Sequence, residues 1–104
     1  MLHYRAPKGP AEILLTEGFP HVPLVSEVWV RRVPAAYGKR RLKVWLVFTL
    51  LESDARKHAD QVQVEFEQRL RGSEEASLEF MVEHRTPHER PVIEGGACIW
   101  VRGT

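Results

Sequence analysis

The sequence has one cysteine, Cys98, and no long hydrophobic run. A single thiol cannot form an internal disulfide, so the fold must be stable without one, and a reducing compartment is the simpler assumption. No apolar stretch approaches the ~20 residues needed to cross a bilayer, and residues 1–10 lack the apolar core of a secretory signal. We therefore expect a cytoplasmic protein that is neither exported nor inserted into a membrane.

Sequence motifs of the common enzyme classes are also missing. There is no P-loop, dinucleotide fingerprint, HExxH zinc motif or GxSxG nucleophile elbow. The missing motifs do not exclude an enzyme, but they leave no reaction to name. We predict a buried strand position for Cys98 rather than a nucleophile, because cysteine is among the most buried residue types and no partner base is identifiable.

One histidine-rich stretch could in principle bind a metal or transfer protons. Glu83, His84, His88 and Glu89 place two imidazoles and two carboxylates within seven residues. Pro87, however, prevents the helix that would align the two histidines, and no cysteine or third histidine is near. We therefore predict solvated side chains here, and assign no catalytic residue, metal ligand or cofactor.

The length and composition indicate a single globular domain. The chain has 104 residues, of which 43% are hydrophobic and 28% charged, as is typical of soluble domains. Residues 1–9 are polar and contain Pro and Gly, so they should lie on the surface or fray. Pro10 to Gly18 fits a short helix with proline in its first turn.

The strongest structural signal is residues 42–51, LKVWLVFTLL, a strand with apolar residues on both faces. Residues 24–33 alternate as a second strand, and Pro34 to Gly38 is a turn signal between them. The two strands should form a hairpin in which Trp29 lies opposite or diagonal to Trp45.

The second half of the chain predicts a long helix and two more strands. Apolar residues in 54–71 recur every three or four positions and form one narrow stripe, which should cover the apolar face of the hairpin. Residues 77–84 alternate as a third strand. Residues 92–102 form a fourth strand, interrupted at Gly95 and Gly96, and the orientation of Trp100 stays open.

These elements predict an α+β fold. We expect a four-stranded, mainly antiparallel sheet built from two β-hairpins, with the long helix on one face and the short N-terminal helix before it. The long helix should return the chain to the other end of the sheet, which makes strands two and three parallel through a right-handed crossover.

The net charge of +1 hides an uneven distribution. Residues 31–43 hold six cations and no acid, whereas residues 52–89 hold ten acids and five Lys or Arg residues. Cations contact phosphates, and exposed aromatic rings stack on unpaired bases. The hairpin and its neighbouring sheet face are therefore the candidate binding site, formed by Trp29, Arg31, Arg32, Tyr37, Lys39, Arg40, Arg41, Lys43 and Trp45.

The helix stripe covers one sheet face and leaves both tryptophans on the other. Burial of one Trp contributes roughly 2 to 3 kcal/mol, so these rings should not stay in water. The first twenty residues, a second copy of the chain or a ligand could cover them.

We accordingly expect a small non-catalytic interaction or ligand-binding module, whose small-molecule ligand is unknown and which homodimerises through its sheet. One alternative is a protein that binds single-stranded nucleic acid through Trp29, Trp45 and the basic hairpin. A second alternative is a small enzyme of unidentified reaction, with Glu27, Tyr37 or His84 as unassigned candidates.

Overall fold

The computed structural model describes residues 4–73, 77–93 and 95–103, without the side chains of residues 90–92. Two helices and four strands alternate along the chain with two short 3₁₀ segments. In order, these are α1 (Gly9–Gly18), a 3₁₀ turn (Phe19–His21), β1 (Val25–Ala36), β2 (Lys39–Phe48), α2 (Ser53–Leu70), β3 (Leu78–Arg85), a 3₁₀ segment (Pro87–Val92) and β4 (Ala97–Val101).

The four strands form one mixed sheet in the order β3-β2-β1-β4. β1 and β2 pair as the expected hairpin, with Trp29 directly opposite Trp45. β3 lies parallel to β2, from Arg40 opposite Leu78 to Val47 opposite Arg85. The predicted α+β class and the parallel pairing of strands two and three are therefore confirmed.

The predicted second hairpin is wrong. β3 and β4 lie at opposite edges of the sheet, and β4 pairs with β1 in the antiparallel sense. Residues 86–96, which we call the crossover segment, connect the two edges. Because β3 and β4 run in the same direction, a tight turn cannot join them, and the chain must cross a face of the sheet.

The face that the crossover segment takes follows from handedness. The connection from β2 to β3 runs through α2 on one face, and the connection from β3 to β4 moves in the opposite direction across the sheet. Two connections that move in opposite directions keep the same hand only if they lie on opposite faces, and right-handed crossovers are strongly favoured. The crossover segment accordingly crosses the face away from α2.

Both helices pack on the other face, which we call the helix face. The predicted stripe of α2 is confirmed, since Ala55, Ala59, Val62, Phe66 and Leu70 are all buried. α1 joins this core through Leu14 and Leu15, and the 3₁₀ turn through Phe19. The sheet contributes the alternate residues of its two central strands, Val28, Val30, Leu42, Val44, Leu46 and Phe48.

Two details of the sequence reading need correction, and the orientation of Trp100, which the sequence left open, is settled. β2 ends at Phe48, so Leu50 and Leu51 are exposed rather than part of a strand. The irregularity in the last strand lies beside Ile99, between the pairs Val28–Trp100 and Trp29–Cys98, rather than at the two glycines. It brings Trp100 onto the helix face, where the ring is half-buried against the core.

Within the described residues, no helix combines the length and the apolar composition needed to span a bilayer.

Candidate functional site

The two tryptophans lie on the sheet face opposite the helices, which we call the tryptophan face. Trp45 is only 5% exposed and forms a small apolar cluster with Val47 and Ile93, while Trp29 packs against this cluster and is partly exposed. Ile93 belongs to the crossover segment. The cover is therefore the chain's own connection between its edge strands. The first twenty residues were considered for this role, but their described apolar residues Leu14, Leu15 and Phe19 pack on the helix face.

A glycine lets the crossover segment approach this closely. A Cβ atom on Gly96 would lie 2.7 Å from Cγ2 of Ile93 and 3.3 Å from Cζ3 of Trp45. Contacts under 3.0 Å do not occur for real side chains in packed interiors. Residue 96 thus has to be glycine for Ile93 to close over the indole of Trp45.

Two predicted cations flank the covered tryptophan. Arg31 and Lys43 are direct partners across β1 and β2. The guanidinium carbon of Arg31 lies 5.9 Å from the Trp45 ring centre, and Nζ of Lys43 lies 5.7 Å from it. Such contacts are worth about 0.5 to 1 kcal/mol where the cation is exposed. Both side chains help to hold the indole in place.

Glu83 on β3 neutralises part of this charge. Its carboxylate pairs with Lys43 and accepts a 2.5 Å hydrogen bond from Arg85. The hydrogen bond from Lys43 and the two neighbouring positive charges hold the pKa of Glu83 below its usual range, against the opposing effect of burial. Lys43 is therefore bound to the body of the protein.

The hairpin turn is tighter than the predicted PAAYG loop. Pro34, Ala35 and Ala36 belong to β1, and Tyr37 and Gly38 alone make the connection. Both have positive φ, 53° for Tyr37 and 75° for Gly38, as in a type I′ turn. Pro34 is tolerated because β4 pairs only up to Val30, so this part of β1 has an irregular, open edge.

Tyr37 is unusual at this position. Asn, Asp and Gly favour positive φ, whereas a bulky side chain there costs of order 1 to 3 kcal/mol. The ring is also fully exposed to solvent, so no packing offsets the strained backbone. The turn thus holds an aromatic ring in water at the tip of the hairpin.

Arg32 lies on the helix face, opposite Leu42, and is exposed. Its charge acts on Glu12, a buried carboxylate of α1 that pairs with Arg5 at 2.7 Å. Burial would raise the pKa of Glu12, but hydrogen bonds from Arg5 and the backbone N–H of Lys8, with the charges of Arg5 and Arg32, hold it below its usual range.

Three further cations occupy β2 next to the turn. Lys39 and Arg40 are exposed, and Arg41 is partly exposed. Lys39 lies 3.9 Å from Glu79, but both side chains are largely in water, where such a pair contributes little. We call the solvent-facing part of the hairpin the basic end, which comprises Arg31, Arg32, Tyr37, Lys39, Arg40 and Arg41.

The nine predicted site residues therefore separate into two groups. Trp29, Trp45 and Lys43 belong to the packed tryptophan face, whereas the remaining six form the basic end, with cations on both faces of the hairpin. A comparison with known protein families, curated proteins and solved structures finds no match for this chain. These two groups are therefore the features of the protein that indicate what it can bind.

The three candidates for an enzyme reaction do not converge. Glu27 is buried on the tryptophan face, where its Oε1 accepts a 2.8 Å hydrogen bond from Nε1 of Trp29. His84 lies on the helix face, its ring 5.1 Å from that of Phe48, and Tyr37 is at the hairpin tip. Among the described residues, no group of three or more His, Cys, Asp or Glu side chains is arranged to hold a metal ion.

A cavity of about 470 Å³ lies between the C-terminal half of α2 and the start of β3. Its lining combines cations (Lys39 and Arg71) with acids (Glu67 and Glu79). Small-molecule sites are mostly apolar with a few convergent polar groups. This mixed lining provides neither a predominantly apolar wall nor charge of one sign.

Sequence reasoning missed the residues that close the tryptophan face. Ile93 and Gly96 act through strand order, which a single sequence does not reveal. Glu83 was considered above only as a metal ligand or proton-transfer group, and its pairing with Lys43 depends on the register of β3 beside β2. The available signal was the pair Gly95–Gly96, which indicates a close approach of backbone to another group.

Proposed function

We propose that this chain is a non-catalytic binding protein that contacts single-stranded nucleic acid through its basic end. The observation that carries the proposal is the fully exposed ring of Tyr37, held at positive φ among exposed cations. Strained backbone conformations cluster at functional sites. A tyrosine in this setting is suited to stack on an unpaired base while its neighbours contact phosphates.

The charge distribution supports the same partner. Four cations of the basic end are exposed, namely Arg31, Arg32, Lys39 and Arg40. They lie on both faces of the hairpin and at its turn, so a flexible phosphate backbone can follow them around the tip. Because phosphate contacts do not depend on sequence, we expect binding with little base preference.

The tryptophans do not stack on bases in this proposal. Trp45 is closed under Ile93, and Trp29 donates its indole N–H to Glu27. In this proposal they keep the base of the hairpin rigid while Tyr37 makes the base contact. Binding should therefore depend on Tyr37 and leave Trp45 fluorescence largely unchanged.

The test is a titration of a fluorescently labelled single-stranded oligonucleotide, followed by anisotropy at low salt, with wild type and Tyr37→Asn. Asparagine before glycine suits a type I′ turn, so the variant should be as stable as wild type or more stable. Loss of one stacked base costs about 1 to 3 kcal/mol, so its affinity should fall about 5- to 150-fold.

Tyr4→Asn is the matched control, because Tyr4 is 56% exposed beside β4 and lies outside the basic end. It should bind as wild type does. Equal affinity of wild type and Tyr37→Asn would contradict the role of Tyr37, and no binding at low salt would contradict the proposed function.

A further inference from the structure

The two outer edges of the sheet differ in whether another segment pairs with them. The edge of β4 is covered, because Tyr4 bridges to Cys98 and the backbone N–H of Arg5 donates a 2.9 Å hydrogen bond to the Cys98 carbonyl. β3 is the outermost strand on the other side, and no described residue pairs with its outer edge. One edge is thus closed by the chain's own N-terminal segment and the other is open.

The open edge carries charged side chains but lacks the other features that usually prevent pairing. Natural edge strands carry proline, lysine, bulges or a short length. The overhanging part of β1 has Pro34, an irregularity and two arginines, whereas β3 has eight residues in unbroken register with β2 and no Pro, Gly or Lys. β3 is therefore suited to accept another strand.

The sequence of β3 complements itself when two copies run antiparallel. In a pairing centred on Val82, Glu79 of one copy lies opposite Arg85 of the second copy, and two-fold symmetry makes this pair twice. Phe80 lies opposite His84. A centre at Met81 would instead place Glu79 opposite Glu83, which is repulsive.

We propose that the protein forms a two-fold homodimer by antiparallel pairing of β3 with β3 of a second copy, in the register centred on Val82. The two sheets become one continuous eight-stranded sheet. Because β3 runs parallel to β2, the two basic ends lie at opposite ends of this sheet. The dimer therefore forms independently of the proposed nucleic-acid binding.

The test is a charge exchange followed by sedimentation equilibrium over a concentration series. Glu79→Arg places arginine opposite Arg85 at both pairs and should raise the dimer dissociation constant at least about tenfold. The double variant Glu79→Arg with Arg85→Glu again places opposite charges at positions 79 and 85 of the two copies, now with the signs exchanged. It should recover most of the dimer affinity.

The matched control is Glu65→Arg, which makes the same charge change at an exposed position of α2 facing a cavity beside α1. It should leave the dissociation constant within about twofold of wild type. Circular dichroism of each variant verifies the fold. A monomeric wild type at every concentration, an equal effect of Glu65→Arg, or a double variant no better than Glu79→Arg would overturn the proposal.

Discussion

At the scale of single residues, the surroundings of His84 change its pKa. The ring is half-buried beside Phe48, and Nε of Arg56 donates a 3.3 Å hydrogen bond to its Nδ1, which requires a neutral imidazole. Burial lowers the pKa of His84, the nearby Arg56 charge lowers it further, and Asp60 opposes the change. The folded protein thus disfavours the imidazolium that the unfolded chain forms freely.

The pH dependence of stability follows from this lowered pKa. Between its own pKa of about 6.5 and the lower pKa of the folded state, the unfolded chain binds more protons, so the free energy of unfolding should fall as pH drops below about 6.5 through the folded-state pKa. Above pH 6.5 the contribution of His84 is fully present.

Urea unfolding at neutral and mildly acidic pH, with wild type and His84→Gln, measures this effect. Glutamine keeps a neutral acceptor for Arg56 and removes the titration. The variant should lose less stability on acidification than wild type, and an identical loss in both proteins would contradict the assignment to His84.

At the scale of elements, the contact between the end of α1 and α2 requires a residue without a side chain at position 18. A Cβ on Gly18 would lie 2.3 Å from Cζ of Phe66. That ring cannot withdraw easily, because it is buried and packs edge-on against Phe19 and Phe80. Gly18 is therefore required by packing and has an ordinary φ.

Gly18→Ala should consequently lower the free energy of unfolding by about 1 to 3 kcal/mol, the usual cost of overpacking. Helix propensity alone predicts the opposite sign, by up to about 1 kcal/mol. Gly72→Ala is the control, because a Cβ there meets nothing within 4 Å. A Gly18→Ala variant at least as stable as wild type in chemical denaturation would contradict this packing.

The crossover segment is the second element whose role can be measured. Ile93 is 7% exposed and closes the cluster around Trp45. Ile93→Ala should lower the free energy of unfolding by about 2 to 4 kcal/mol and shift tryptophan emission to longer wavelength, as water reaches the indole.

Ile13→Ala is the control for Ile93→Ala, because Ile13 on α1 is 43% exposed. It should cost under about 1 kcal/mol and leave the emission unchanged. Unchanged stability and emission in Ile93→Ala would show that the crossover segment does not cover Trp45.

At the scale of the whole molecule, sequence patterns predicted most elements and two strand pairings, β1 with β2 and β2 with β3. The period of the apolar residues in α2, the alternation in the hairpin and the opposition of Trp29 and Trp45 all appear in the structure. These features depend on neighbours close in sequence or across one turn. The apolar alternation of the hairpin, together with the helix stripe, was enough to identify which face of the hairpin α2 covers.

The strand order could not be predicted in the same way. Placing β4 beside β1 rather than β3 depends on long-range pairing, and the consequence for the candidate site is large. With β4 at the far edge, residues 86–96 must cross the tryptophan face, so Trp45 becomes interior and Trp29 stays only partly exposed. Tyr37 was recognised as a site residue, but its positive φ depended on a two-residue turn that PAAYG did not specify.

The salt dependence of oligonucleotide binding tests the central claim most directly. For single strands, the logarithm of the binding constant falls with the logarithm of salt concentration by about 0.7 per phosphate contacted. If the four exposed cations of the basic end each contact one phosphate, affinity should fall about 50-fold between about 50 and 200 mM salt. Arg40→Gln should reduce the slope by about 0.7. Affinity independent of salt, or a slope unchanged in Arg40→Gln, would contradict binding through the basic end.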